Sequence, residues 1–124
     1  MRLSDAEWRV MNAIWDRPVE SSVRDVLEQV EPDTGWAYQT VQTIMVRLTR
    51  KGALVSRLRA NTRLYKASVT REEAQQTALE SLAEKAFKGS MAPLVVEMVK
   101  KGKLGRETKE ELGRLLKDDS RKKG

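Results

Sequence analysis

The stretch WAYQTVQTIMVRLTRKG, from Trp36 to Gly52, decides the fold of this chain. Its apolar residues recur at the i, i+3, i+4, i+7 spacing of a buried helix face, and they are Val41, Ile44, Met45 and Leu48. At about 100° per residue, the opposite face is mostly polar or basic and carries no acid; it presents Gln39, Gln42, Thr43, Val46, Arg47 and Arg50. A helix anchored by one face and offering Gln, Thr and Arg on the other suits the major groove of DNA.

Basic residues surround this helix, and no acid lies near it in sequence. No Asp or Glu occurs between Thr34 and Thr70, whereas the Lys and Arg residues of that interval are Arg47, Arg50, Lys51, Arg57, Arg59, Arg63 and Lys66. The chain of 124 residues has a formal net charge of +6. A clustered basic block is the electrostatic pattern of a nucleic-acid-binding face. The alternative is a solvated surface that happens to lack acids.

The composition excludes several kinds of active site. The sequence contains neither Cys nor His, which removes disulfides, the usual zinc sites, the Ser-His and Cys-His nucleophile pairs and the commonest general base. It also lacks a Gly-rich phosphate loop, so we expect no enzyme, cofactor or metal site. No apolar run approaches the roughly 20 residues of a membrane span, and the N-terminus lacks the apolar stretch of a signal peptide. We therefore expect a cytoplasmic protein.

Two helices are predicted before the Trp36–Gly52 segment. Each begins with a capping box, in which a Ser and an acid three residues later bond each other's backbone; the pairs are Ser4–Glu7 and Ser22–Asp25. Pro18 is expected to end the first helix, and Val19 to form a short strand. Pro32 and Gly35 are expected to end the second helix. A short helix, a turn and a longer helix with a polar outer face predict a helix-turn-helix.

After Gly52 the pattern changes to that of two strands. Residues 54–60, LVSRLRA, alternate in side-chain direction, and residues 63–69, RLYKASV, follow them. Asn61-Thr62 is the predicted turn, because Asn tolerates the left-handed backbone of a tight hairpin. A hairpin behind a helix-turn-helix predicts a winged helix.

The predicted hairpin carries Arg57, Arg59 and Arg63 near its tip. In a winged helix, such residues contact phosphates or reach into the minor groove. The alternative is an edge hairpin that is kept soluble by its charges.

Three amphipathic helices are predicted between residues 71 and 117, too few and too short for a core of their own. Their inward apolar residues include Leu79, Leu82, Phe87, Leu94, Val95, Met98, Leu112, Leu115 and Leu116. We expect these helices to pair with a second copy, because most soluble oligomers are symmetric dimers; the alternative is that they fold back onto their own winged helix. A dimer would also suit palindromic half-sites about 34 Å apart. The predicted fold is mainly α with a small β-hairpin: a winged-helix DNA-binding domain (1–70) and a helical dimerisation domain (71–124).

Four stretches of this sequence resemble the BlaI/MecI family of penicillinase and methicillin-resistance repressors. They are LSDAEWRVMNAIW, WAYQTVQTIMVRLTRKG, the strand that contains Tyr65, and KLGRETKEELGRLL. The resemblance implies a homodimeric winged helix whose N-terminal domain binds DNA and whose C-terminal helices intertwine across the two-fold axis. It also implies repression of genes for antibiotic resistance or, in some members, for metal homeostasis.

The resemblance assigns roles to individual positions. The base-reading positions of the family fall on Gln39, Thr40, Gln42 and Thr43, of which Thr40 lies at the flank of the outer face. Gln pairs bidentately with adenine, and Thr meets a thymine methyl. The resemblance places contacts with the DNA backbone at Trp36, Arg47 and Lys51. The positive charge of four further residues makes them expected backbone contacts as well: Arg50, Arg57, Arg59 and Arg63. The alternatives are that Arg47 joins a surface ion pair and that Trp36 covers the core.

Three features depart from the family pattern: the cap of the recognition helix, the wing turn and the means of derepression. Ala37 stands where the family often has a helix-capping Ser, and the wing turn lacks the frequent Gly. Resistance repressors of the family are cut in the dimerisation domain, some at an Asn-Phe bond, after a membrane sensor protease is activated. The matching pair here is Glu97-Met98, which weakens the case for cleavage at that bond. Copper-responsive relatives use a C-terminal Cys cluster, and this chain has no Cys, so the resemblance does not imply copper as its inducer.

The sequence therefore predicts a homodimeric, sequence-specific transcriptional repressor that binds palindromic double-stranded DNA. The operon would be one for resistance or stress, such as β-lactamase-type genes, with release by proteolysis through a membrane sensor protease or by another signal. The alternative is a winged-helix protein-interaction module that uses its basic face on an acidic partner.

Overall fold

The computed structural model describes residues 1–86, 92–102, 105–107 and 110. In chain order the elements are α1 (Asp5–Trp15), α2 (Val23–Thr34), α3 (Tyr38–Lys51), β1 (Leu54–Arg59), β2 (Thr62–Ala67), α4 (Arg71–Ala86) and α5 (Ala92–Lys100). This order confirms the predicted mainly helical fold with one small hairpin. No helix in the described ranges is long and apolar enough to cross a membrane.

The chain divides into two compact units, Met1–Ala78 and Leu79–Gly124. The first unit holds α1 to α3, the hairpin and the start of α4. The functional division into a DNA-binding part, residues 1–70, and a dimerisation part, residues 71–124, stays a prediction.

Both predicted capping boxes are present. In α1 the Ser4 hydroxyl accepts from the Glu7 N–H at 3.2 Å, and the Glu7 carboxylate accepts from the Ser4 N–H at 2.8 Å. In α2 the same two bonds join Ser22 and Asp25 at 3.1 and 2.9 Å. These bonds satisfy N–H groups that the first turn of a helix leaves without partners.

The prediction that Pro32 ends α2 is wrong. The helix continues through Pro32 to Thr34 and ends, as expected, at Gly35, which adopts a left-handed φ of 65°. Pro32 lies in the last turn, where its missing N–H costs a single helical hydrogen bond. The Gly35 N–H then bonds the Glu31 carbonyl at 2.8 Å and closes the helix.

α3 matches the predicted segment closely. Its buried residues are Val41, Ile44, Met45 and Leu48, and Gly52 ends it with a left-handed φ of 85°. Ala37 is the N-cap and offers no side-chain hydrogen bond to the first turn. The cap that the family often has is therefore absent here.

β1 and β2 pair antiparallel and form the wing, residues 54–67. Tyr65 is 4% exposed and lies opposite Ser56, and this register leaves Ala60 and Asn61 as the turn. The prediction of an Asn61-Thr62 turn is therefore wrong by one position. Among the described non-glycine residues, the left-handed backbone belongs to Ala60, with φ 55°, a conformation that costs an L-residue roughly 1–2 kcal/mol.

A third segment joins the wing at one residue. The Ser21 N–H donates to the Tyr65 carbonyl at 2.9 Å, and the Tyr65 N–H donates to the Ser21 carbonyl at 2.8 Å. The predicted short strand at Val19 is wrong, because Val19 is largely exposed and the backbone pairing occurs two residues later. The neighbour of Ser21, Glu20, is thereby held against the wing.

One apolar core joins the first three helices and the wing. Its buried members are Val10, Met11, Ala13, Ile14, Val23, Val26, Val30, Val41, Ile44, Met45, Leu48, Ala53, Leu54 and Tyr65. Burial of this set fixes α3 by one face and leaves its other face at the surface.

A buried carboxylate ties α1 to the end of α3. Glu7 is 1% exposed, and its Oε1 lies 2.6 Å from Lys51 Nζ. The same ammonium donates to the Arg2 carbonyl at 2.8 Å. Burial alone raises the pKa of Glu7, but the hydrogen bonds from Lys51 and Ser4 and the Lys51 charge together lower that pKa below its ordinary value.

The beginning of α4 is held against α1. The Trp15 indole N–H donates to the Val69 carbonyl at 3.0 Å. The Arg71 guanidinium bonds the Asp16 carboxylate at 2.6 Å and lies 5.5 Å from the centre of the Trp15 ring. These contacts place the first turn of α4 within the same unit as the winged helix.

Glu7→Gln is expected to destabilise the protein. The variant keeps the shape of Glu7 but removes the charge that faces Lys51, so the free energy of unfolding at pH 7 should fall by about 1–3 kcal/mol. The folded pKa of Glu7 lies below the unfolded one, so its contribution is complete above about pH 4.3 and is lost as the pH falls through the folded pKa. Urea unfolding at pH 7 and pH 3 measures the change.

Glu28→Gln, at an exposed position on α2, is the matched control and should leave the unfolding curve nearly unchanged. If Glu7→Gln lost the same stability at both pH values, the buried charge would not be the cause.

Ala37→Ser is expected to stabilise the protein. Its hydroxyl would accept from the N–H of the second or third residue of α3, a contact worth about 1 kcal/mol relative to Ala. Thermal unfolding monitored by circular dichroism measures the gain in stability. Ala37→Val, which adds bulk without an acceptor, is the control, and an equal gain in both variants would contradict the capping explanation.

Candidate nucleic-acid interface

The outer face of α3 is a continuous, solvent-exposed surface. Every predicted base-reading side chain is exposed, the flanking Thr40 included, as are their neighbours; the set is Gln39, Thr40, Gln42, Thr43, Val46, Arg47 and Arg50. The last turns of this face form an open depression of about 400 Å³, lined by Gln42, Thr43, Val46, Arg47 and Arg50. The structure therefore brings the predicted base-reading residues together on one side of one helix.

The start of α3 is an uncapped, electropositive helix end. The Ala37 carbonyl accepts from Thr40 at 3.1 Å and from Val41 at 3.3 Å, but no acid lies in the first turn and no side chain caps it. The N–H groups and the dipole at such an end favour an anion.

Arg24 and Tyr38 extend this surface and were not predicted. The Arg24 guanidinium lies 5.9 Å from the centre of the Tyr38 ring, and both residues are exposed. Arg24 thus adds a positive charge beside the start of α3 from the first turn of α2. Its stretch of sequence mixes both signs of charge, so nothing local distinguished it from an ordinary surface arginine.

The predicted basic residues fall into two groups. The exposed Arg47, Arg50 and Arg59 make no hydrogen bond or ion pair within the described part of the chain. By contrast, Lys51 bonds Glu7, and Arg63 Nη1 lies 3.0 Å from the Ser56 hydroxyl. Free guanidinium groups therefore lie on α3 and at the wing tip.

Arg57 is the third basic residue that already has a partner. Its Nη2 lies 2.6 Å from the carboxylate of Glu20. Both Glu7 and Glu20 come from outside the acid-free stretch of sequence, so the basic surface is less positive in space than it is along the chain.

Trp36 covers the core from the residue before Ala37. It is half-buried and packs against the apolar cluster, and its N–H donates to the Thr34 hydroxyl at 3.2 Å. This packing agrees with the alternative role as a core cover, and its exposed part borders the start of α3.

The predicted dimerisation residues are only partly within the described ranges. On α4, Leu79 and Leu82 are exposed, and on α5 Val95 and Met98 are half-buried. Leu94 belongs to α5, as do Glu97 and Met98 of the pair that matches the family's cleavage position. Phe87, Leu112, Leu115 and Leu116 lie outside the described residues.

Two regulatory proteins resemble this chain over most of its length. The methicillin resistance regulatory protein MecI of Mammaliicoccus sciuri is 28% identical over 114 residues, which cover 92% of each chain. The penicillinase repressor of Bacillus licheniformis is 24% identical over 122 residues, which cover 98% of this chain and 94% of that protein.

Two solved structures resemble part of this chain. The solution structure of the DNA-binding domain of the repressor BlaI has a TM-score of 0.52 and 28% identity, covering 58% of this chain and 87% of that one. Monomeric B. licheniformis BlaI in complex with the blaP half-operator has a TM-score of 0.51 and 27% identity, covering 59% of this chain and 88% of that one.

The family model for penicillinase repressors matches residues 3–118, nearly the whole chain. The fold, the exposed face of α3 and this match agree with the resemblance predicted from the sequence. The chain belongs to the penicillinase repressor family, the family of BlaI and MecI.

Proposed function

We propose that this protein is a cytoplasmic transcriptional repressor that binds palindromic operator DNA as a homodimer. The observation that carries the proposal is the face of α3, where exposed Gln, Thr and Arg side chains lie opposite four buried apolar ones. The structural relative BlaI, solved with a half-operator, supports DNA as the ligand of this face.

In the proposed complex, α3 lies in the major groove as the recognition helix. Gln39 and Gln42 read adenine through paired hydrogen bonds, and Thr40 and Thr43 contact thymine methyl groups. The uncapped start of α3 approaches a phosphate, because its N–H groups and dipole attract an anion.

The charged residues provide affinity that does not depend on sequence. Arg47 and Arg50 contact phosphates beside the groove, and Arg59 contacts the backbone from the wing tip. These exposed guanidinium groups have no competing ion pair in the described ranges, so they are available to DNA without a preceding rearrangement.

Dimerisation is proposed from the apolar residues of the C-terminal helices. Leu79, Leu82, Val96 and Val99 are each at least 37% exposed in a single copy. A second copy would bury such side chains, and its two-fold axis would space two recognition helices for half-sites about 34 Å apart.

We propose a resistance or stress operon as the target, because the named relatives regulate methicillin resistance and penicillinase. Release from DNA follows cleavage by a membrane sensor protease or another signal. Glu97-Met98 lies within helix α5, and an intact helix is a poor protease substrate. Cleavage there would require local unfolding.

The proposal is tested by footprinting the protein on the DNA upstream of its own gene at several salt concentrations. Protection of a two-fold symmetric site that weakens steeply with salt is the expected result. If no salt-sensitive binding to such a site were seen, the basic face would belong to another partner, such as an acidic protein.

Base readers and phosphate contacts should respond differently to substitution. We expect Thr43→Ala or Gln39→Ala to narrow the affinity gap between operator and scrambled DNA, by about 1–3 kcal/mol for each lost base contact. Arg59→Ala should weaken binding to both duplexes alike and reduce the salt slope by about 1. Fluorescence anisotropy with both duplexes measures this, and a uniform loss for all three variants would refute the assignment of base readers.

Leu82→Lys should dissociate the dimer, because it places a charge among apolar side chains that a second copy would cover. Sedimentation equilibrium should show monomers, and affinity for the full palindrome should fall towards that for a half-site while half-site binding is retained. Glu84→Lys, at an exposed position of the same helix, is the control. A dimer that persists in Leu82→Lys would place the interface elsewhere.

A further inference from the structure

An acidic side chain from outside the wing, Glu20, lies against its basic residues. Glu20 precedes Ser21, whose two backbone hydrogen bonds to Tyr65 hold it beside β2. The Glu20 carboxylate accepts from Arg57 Nε at 3.0 Å through Oε1 and at 2.8 Å through Oε2, and from Arg57 Nη2 at 2.6 Å through Oε1. The carboxylate therefore occupies one whole edge of the guanidinium group.

This ion pair lies at the surface of the wing. The Arg57 side chain is 56% exposed and the Glu20 side chain 27%, so both remain within reach of an approaching phosphate. The hydrogen bond from Arg57 lowers the pKa of Glu20, and the charges of Lys66 and Arg59 lower it further. Glu20 is thus ionised at neutral pH and faces three basic side chains of the wing.

A carboxylate in this position reduces the positive charge with which the wing can attract DNA phosphates. The charge of Arg57 is neutralised by a partner in the same molecule, so contact with a phosphate would have to displace a bidentate carboxylate. The carboxylate also repels phosphates that approach Arg59 or Lys66. The base-reading side chains of α3 are unaffected, because none of them contacts Glu20.

We propose that Glu20 is a specificity-determining residue that limits the attraction of the wing for DNA phosphates. Phosphate contacts supply affinity for any sequence, whereas contacts of α3 with base edges supply discrimination. By neutralising Arg57, Glu20 lowers the share of the binding free energy that comes from phosphate contacts and raises the share that comes from base contacts. This inference rests on the proposed function as a DNA-binding repressor.

The test compares the full-length protein with Glu20→Gln, which keeps the shape of the side chain and removes its charge. Binding to a duplex of its own upstream DNA and to a scrambled duplex is measured by anisotropy from 0.05 to 0.4 M salt. We expect Glu20→Gln to bind both duplexes more tightly, on the order of five- to tenfold at 0.1 M salt, with a salt slope steeper by about 0.9. The gain should be larger on scrambled DNA than on the upstream duplex, because phosphate contacts supply nearly all of the non-specific binding free energy. An equal gain on both duplexes would contradict a role in specificity.

Two controls connect the effect to the ion pair. Glu28→Gln makes the same change of net charge at an exposed position of α2 and should change the salt slope less. In an Arg57→Gln background, Glu20→Gln should give a smaller gain, because the arginine that it releases is gone. Surface ion pairs contribute little to stability, so all variants should unfold at nearly the same temperature.

The outcomes separate this inference from the function on which it depends. If the unchanged protein bound neither duplex, the proposed function would fail. If it bound and Glu20→Gln bound equally or more weakly, Glu20 would instead orient Arg57 towards the phosphate, and the inference would be wrong. An equal gain with and without Arg57 would also overturn it.

Discussion

Burial of one face of α3 is the constraint on which the rest of the unit depends. Val41, Ile44, Met45 and Leu48 are each at most 5% exposed, and exposing any of them would cost about 1.5–3 kcal/mol. The helix cannot rotate about its axis without losing several of these contacts at once. The direction in which the polar face points is therefore set by the core, and no polar contact is needed to orient it.

The electrostatic character of the surface depends on pairs that join distant parts of the chain. Glu7 neutralises Lys51 at the end of α3, and Glu20 neutralises Arg57 on the wing. Among the predicted phosphate contacts, Arg47, Arg50 and Arg59 keep guanidinium groups that make no hydrogen bond or ion pair in the described ranges. This arrangement concentrates attraction for phosphate on the flank of α3 and at the wing tip, where it supports the insertion of α3 into a groove.

Features that depend on neighbours in sequence could be predicted, and features that depend on tertiary contacts could not. The capping boxes, the Gly35 and Gly52 helix ends and the buried stripe of α3 follow from spacings of a few residues. The pairing at Ser21 and the turn at Ala60 follow from the burial of Tyr65, which fixes the register from a distance. Likewise, the exposed face of α3 can be predicted from the periodicity of its apolar residues, whereas nothing local in the sequence places Glu20 against the wing.

The pairing of Ser21 with Tyr65 also determines when the wing can form. During synthesis Ser21 emerges with the first two helices, well before Tyr65 exists, and until then its backbone groups must bond to water. The helices make contacts between neighbours in sequence, whereas the wing must wait for closure of a long loop, which costs entropy before any contact is gained. We therefore expect α1, α2 and α3 to assemble first on the nascent chain, with the wing, and the carboxylate seated on it, as the last part to gain protection from hydrogen exchange.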